Sequence, residues 1–201
     1  MKNLLLTLFL MLIIFPMSAC TGDDDNLQTE EEQTETDPID PNSKILIAYF
    51  SWGGTTQQIA ENISTQTGGT LFRIETVNPY PTEYTPCTVV AKEERDNGIH
   101  PELKSVVENM AEYDIIFVGC PVWWHTAPMA IWSFLESEGY DFSGKTIIPF
   151  CTYQATYRDE TLAKIVELTP NSKHRKGFGT TDRNSDVAPW LKEIGIINSQ
   201  K

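Results

Sequence analysis

Four apolar runs punctuate the chain from residue 44 onward: KILIAYF at 44–50, TLFRIE at 70–75, DIIFVGC at 114–120 and KTIIPFC at 145–151. The first, third and fourth are nearly continuous in Ile, Val and Phe, the pattern of strands covered on both faces. Between the runs, apolar positions recur at helical spacing over 56–66, 102–111, 128–139 and 158–168. Strands alternating with helices predict a parallel sheet with crossover helices on both sides. A weaker fifth strand is predicted at 173–178 and a final amphipathic helix at 185–196. The segment 77–100 holds too many prolines for one helix and reads as an insertion with its own helix near 88–95. No internal repeat is visible. In such a sheet, ligands bind beyond the C-terminal ends of the strands. The loops to watch are therefore 51–56, 121–127 and 152–157.

What precedes residue 44 has a different pattern. An apolar run at 4–15 follows Lys2 and leads to small residues before Cys20. It is shorter than the roughly 18 residues a spanning helix needs, so 1–19 read as an export signal. The ending MSAC resembles the lipobox of bacterial lipoproteins. That resemblance implies cleavage before Cys20, lipid on its sulfur, and residence on the periplasmic side or cell surface of a bacterial outer membrane. A plain signal peptide is the alternative. Residues 21–43 carry nine acids, no Lys or Arg and two aliphatic side chains, too little apolar area to offset ordering. The stretch 20–43 is predicted to be a solvated tether; its acids resemble surface-sorting signals, or serve only as a linker.

Charge narrows the partners. The net charge is −13, and nine acids against Lys2 put most of it before residue 44. The remaining domain, 44–201, is mildly acidic and has no basic stripe for nucleic acid. Its three cysteines, Cys87, Cys120 and Cys151, are an odd number, which excludes a complete disulfide framework; buried free thiols are expected. The histidines at 100, 125 and 174 lie on unrelated elements, so no metal site is expected. Six residues rather than five separate Cys151 from Arg158, which argues against a phosphatase loop.

The loops carry the candidate chemistry. SWGGTT, residues 51–56, joins a strand to a helix through small and hydroxylated residues. Glycines let the backbone approach an anion, hydroxyls donate, and the free N–H groups of a helix start face the charge. Without Lys or Arg it is not a nucleoside-triphosphate loop, and no G-x-G-x-x-G is present. A capped turn with no ligand is the other reading of those six residues. In CPVWWHTAP, two adjacent tryptophans follow a strand, and neighbours in sequence cannot both enter one core. At least one lines the mouth of the site.

Strand, hydroxyl and glycine loop, helix, then YDIIFVGCPVWW, DFSGKTIIPFCT and the PYP at 79–81 together resemble the flavodoxin-like family, over nearly all of 44–196. The resemblance implies a doubly wound α/β fold with a five-stranded parallel sheet in the order 2-1-3-4-5. It also implies non-covalent flavin mononucleotide, FMN. Ser51, Gly54 and Thr56, with the backbone of Trp52, Gly53 and Thr55 between them, would hold the phosphate. Pro121, Val122, Trp123 and Trp124 would run along the isoalloxazine ring, His125 would stand at the mouth, and Thr152, Tyr153 and Gln154 would border the pyrimidine edge. Trp123 is expected to be the principal ring neighbour, with Trp124 turned toward the helix near Pro128. Family members pass one or two electrons, as carriers or as reductases of quinones and similar acceptors; the donor and acceptor here are not legible. No catalytic acid, base or nucleophile is implied.

The chain departs from the family in three places. Gly53 and Thr55 stand where a Ser or Thr and an Asn are usual. His125 replaces a common Gly. TYQATY, 152–157, replaces a glycine-rich loop. Bulk from Tyr153, Gln154 or Tyr157 would either fill the ring site or re-clothe it. A second reading follows: a flavodoxin-like module that has lost FMN and binds another small molecule or a protein.

Overall fold

Continuous apolar strands need cover on both faces and partners on both edges, and the first run has all of these. The computed structural model describes residues 39–198. In it β1 (Ile45–Tyr49) lies between β2 (Thr70–Arg73) and β3 (Ile115–Pro121), and β4 (Thr146–Thr152) follows β3, all parallel. Side chains of β1 alternate strictly: Leu46, Ala48 and Phe50 enter one core layer, Ile47 and Tyr49 the other. The spatial order is the expected 2-1-3-4-5.

The fifth position is shared by two short strands, β5 (Lys173–His174) and β6 (Phe178–Thr180), both parallel to β4, where a single strand at 173–178 was expected. The cause lies in β4. Ile147 pairs with His174 and Phe150 with Phe178, so the outer chain has one extra residue at the level of Pro149. Proline offers no N–H to a ladder, and the neighbour bulges past it.

Helices cover both faces. α1 (Thr55–Thr67) and α5 (Ala188–Glu193) place Ile59, Ile63, Trp190 and Leu191 against Ile47, Phe117 and Phe150. α3 (Met129–Leu135) and α4 (Arg158–Glu167) place Ile131, Phe134 and Ile165 against Leu46, Val118 and Ile147. Gly119 is required where β3 passes under Phe150, because an added Cβ would lie 1.9 Å from the ring. The insertion helix α2 (Tyr84–Asn97) starts a turn earlier than predicted. Pro86 falls in its first turn, where a missing N–H costs nothing.

One predicted helix does not form. Among residues 102–111 only a 3-10 turn, Met110–Glu112, begins. The segment instead runs antiparallel to the continuation of β2: Thr76 bridges Leu103, the Val77 N–H donates to the Glu102 carbonyl at 2.8 Å, and the Lys104 N–H to the Glu75 carbonyl at 2.9 Å. Val107 and Met110 are buried all the same. Their apolar spacing reflects docking onto the core, and the open backbone edge beyond β2 outweighed helix propensity.

All described residues fall within the unit 35–201. Within the segment read as a tether, Ile39 packs on the apolar cluster below β1, and the Ser43 N–H donates to the Asp40 carbonyl at 2.9 Å. The predicted export signal, Cys20 and the tether up to residue 38 lie outside the described residues.

Candidate functional site

The three loops beyond β1, β3 and β4 converge. They enclose a cavity of about 640 Å3, inside the range of about 300–1,000 Å3 typical of small-molecule sites. Every residue predicted to bind the cofactor lines it except Gly54: Ser51, Trp52, Gly53, Thr55 and Thr56 from the first loop, Pro121 to His125 from the second, Thr152, Tyr153 and Gln154 from the third. None of the lining side chains is a carboxylate, lysine or arginine.

The first loop is ordered by its own serine. Ser51 Oγ accepts the N–H groups of Gly54 and Gln57, each at 3.2 Å. Gly54 caps α1 with φ 83°, a left-handed conformation that favours glycine. The N–H groups of Gly53, Thr55 and Thr56 have no acceptor among the described residues. An added Cβ at Gly53 or Gly54 would meet nothing within 4 Å. Open space, free donors and the positive end of α1 coincide, the make-up of an anion cradle. Buried Thr56 and Thr152 link the first and third loops, Oγ1 to Oγ1 at 2.7 Å. One hydroxyl donates to the other, so one hydroxyl proton remains for a ligand oxygen.

A cation absent from the loop itself stands behind it. Arg73 ends β2 beside Tyr49, donates from Nη2 to the Ser51 carbonyl at 3.2 Å and from Nη1 to Gln57 Oε1 at 3.2 Å. Its position depends on strand register, so no local motif marks it.

The second loop is a two-residue hairpin. Trp123 and Thr126 exchange both backbone hydrogen bonds, at 2.9 and 3.0 Å. Trp124 and His125 between them have φ 46° and 70°, the paired positive values of a type I′ turn. Such a turn favours glycine, and here His125 takes the left-handed conformation instead. Trp123 is partly buried, edge-on to Phe50 at 5.2 Å, Tyr80 at 5.0 Å and Trp52 at 6.5 Å. The expected orientation of Trp124 is corrected: it turns toward α2, not toward the helix after Pro128. Its Nε1–H donates to the Thr88 carbonyl at 2.9 Å, and the Arg95 guanidinium lies 5.3 Å from its ring centroid. A turn residue with positive φ cannot follow the strand's alternation, which is what the expectation assumed.

The bulky third loop does not fill the cavity. Tyr153 and Gln154 form wall, and Tyr157 leaves it to stack on His125, with ring centroids 3.7 Å apart and planes 20° off parallel. Tyr157 itself has φ 64°. Three left-handed non-glycine residues thus gather around one mouth, the kind of local strain that collects at functional sites.

The opposite wall belongs to the insertion. Tyr84, Cys87, Thr88 and Ala91 of α2 line the cavity, and their spacing of three, four and seven is one helical face. The sequence contained that signal within the segment read only as an insertion. Beneath this wall Tyr80 Oη donates to Glu94 Oε2 at 2.6 Å. Burial pushes the Glu94 carboxyl above its ordinary value, opposed by that bond, and burial pushes the Cys87 thiol up as well. Among the described residues the three cysteines, Cys87, Cys120 and Cys151, are free and buried. Burial raises Cys151 to about 12, and its Sγ faces the Arg158 carbonyl at 3.9 Å, the reverse of an activated nucleophile.

The doubly wound α/β sheet thus carries a neutral anion cradle and an aromatic wall at its switch point, the place where ligands bind in folds of this kind. The flavodoxin family profile matches residues 44–194, and the chain belongs to that family. A flavoprotein structure from Bacteroides eggerthii is 32% identical, with TM-score 0.66, over 76% of this chain and 98% of the other. One from Bacteroides uniformis is 31% identical, with TM-score 0.65, over 75% and 98%. The Lactobacillus acidophilus flavoprotein, solved in complex with FMN, shares the fold at 22% identity and TM-score 0.62, over 75% and 99%. No curated protein matches the chain.

Proposed function

We propose that the protein is an FMN-binding flavodoxin-like electron-transfer protein or reductase, held outside the inner membrane by lipid on Cys20. The observation that carries the FMN part is the cavity, where free N–H groups at the start of α1 adjoin a flat aromatic wall. The chain's residues suit the group. The N–H groups of Gly53, Thr55 and Thr56 and a hydroxyl of the Thr56–Thr152 pair would take the phosphate, while Ser51 keeps the loop in shape. Arg73 braces the loop from behind through the Ser51 carbonyl and Gln57. Pro121, Val122, Trp123 and Trp124 would flank the isoalloxazine, with Tyr84, Thr88 and Ala91 opposite and Thr152, Tyr153 and Gln154 at its polar edge. When bound, the flavin supplies the one- and two-electron chemistry. The residues around it position it, exclude water and keep charge off the ring.

The relatives are flavoproteins by description, and the Lactobacillus acidophilus structure holds FMN. Because Tyr153 and Gln154 wall the cavity and Tyr157 stacks outside it, bulk in the third loop gives no support to a module that has lost its cofactor. Titrating the purified protein with FMN tests the reading: flavin absorbance should shift, fluorescence should be quenched, and the complex should cycle between oxidised and reduced forms. No change at high flavin rejects it. The anchor is tested apart: Cys20→Ser should move the protein from the membrane fraction to the soluble one, and unchanged partitioning rejects lipidation.

A further inference from the structure

A second cavity, of about 550 Å3, shares Ser51, Trp52 and Gly53 with the first and opens on the other side, over β2 and the start of the insertion. Its walls are of two kinds. Phe50, Trp52 and Tyr80 supply aromatic surface, and Tyr80 lies edge-on to Phe50 at 5.5 Å. Facing them are Arg73 and Lys104, with Glu75 between. Lys104 reaches this place because 102–104 pairs with 75–77 in place of the predicted helix.

The charges are not balanced. Lys104 Nζ lies 3.4 Å from Glu75 Oε2, and Arg73 Nε lies 3.9 Å from Oε1. Both are well beyond the roughly 2.7–2.9 Å of a charge-assisted hydrogen bond. Arg73 already donates to Ser51 and Gln57. Lys104 makes no side-chain contact other than Glu75 among the described residues. Two cations against one loosely held carboxylate leave one positive charge beside an aromatic floor. That pairing suits a flat apolar body with a single carboxylate.

We infer that this cavity is a binding site for a small aromatic carboxylate, with its ring against Tyr80 and Trp52 and its carboxylate on Lys104 and Arg73. The cavity meets the flavin cavity only at Ser51, Trp52 and Gly53, and its ring and carboxylate contacts at Tyr80, Arg73 and Lys104 lie outside the flavin lining, so the ligand binds alongside FMN.

Benzoate is the probe, titrated into the full chain by calorimetry and ligand-observed NMR, with and without saturating FMN. Benzamide serves as the neutral control and acetate as the control without a ring. Benzoate should saturate, with both controls markedly weaker. Lys104→Met should weaken benzoate by about fivefold, the upper range for an exposed ion pair. Glu75→Gln should tighten it, because a competing carboxylate is gone. Both side chains are exposed, so neither change threatens the fold; unaltered thermal midpoints would verify this. Equal binding of benzoate and benzamide, indifference to both substitutions, or displacement of benzoate by FMN overturns the inference. If FMN itself fails to bind, the benzoate arms without FMN decide the matter alone.

Discussion

If the loop 51–56 holds the FMN phosphate as proposed, a hydroxyl added at position 53 should tighten FMN binding. The family resemblance implies a Ser or Thr where Gly53 stands, and the structure gives it room: an added Cβ meets nothing within 4 Å. Its φ is not among the positive values, so a β-branched side chain brings no left-handed strain. A hydroxyl donating to a charged phosphate contributes about 1.5–3 kcal/mol, or roughly a ten- to 150-fold fall in Kd. Gly53→Thr adds that donor, and Gly53→Val adds the same bulk without it. Titrating FMN and following fluorescence quenching measures both. The threonine variant should bind FMN at least about tenfold tighter than the valine variant, at equal thermal midpoint. Equal affinities, with both variants folded, would refute the reasoning, since position 53 would then not face the phosphate.

The tryptophan pair should separate by burial. Trp123→Ala removes the centre of the Phe50–Tyr80–Trp52 cluster and should cost about 3 kcal/mol in chemical denaturation as well as weakening FMN. Trp124→Ala, at a residue 37% exposed, should raise the FMN Kd while costing only about 1 kcal/mol of stability. At His125, φ 70° predicts that His125→Gly is more stable than His125→Ala by about 1 kcal/mol, because both lose the Tyr157 stack and only alanine keeps the strain. For Glu94, burial raises the carboxyl's folded value, so its contribution is fully present in acid and lost as pH rises through that value. Glu94→Gln still accepts from Tyr80 and carries no charge; thermal melts should show it gaining on the parent near neutral pH, with the gap closing in acid.

How much of this was legible depended on range. The strand runs and the 51–56 loop are local features: continuous Ile, Val and Phe demand burial, and small hydroxylated residues before a helix advertise an open N-terminus. Sheet order came with the family resemblance. Arg73 was hidden because it reaches Ser51 only through the pairing of β2 with β1. The fate of 102–111 was misread because Val107 and Met110 keep helical spacing while the backbone finds an edge near Thr76. The face of α2 that lines the cavity was readable at Tyr84, Cys87, Thr88 and Ala91, yet nothing local says which way an insertion folds. Trp124 turned away from its expected neighbour through backbone handedness, which side-chain patterns do not encode.

The start of α1 is proposed as a phosphate cradle beside a ring site. Parallel calorimetric titrations with FMN and riboflavin isolate the cradle's contribution, since the two ligands share the ring and the ribityl chain and differ only in the phosphate. FMN should bind tighter than riboflavin by at least about a hundredfold, the effect of two hydrogen bonds to a charged group. Equal affinity for the two, or no heat with either, would contradict it.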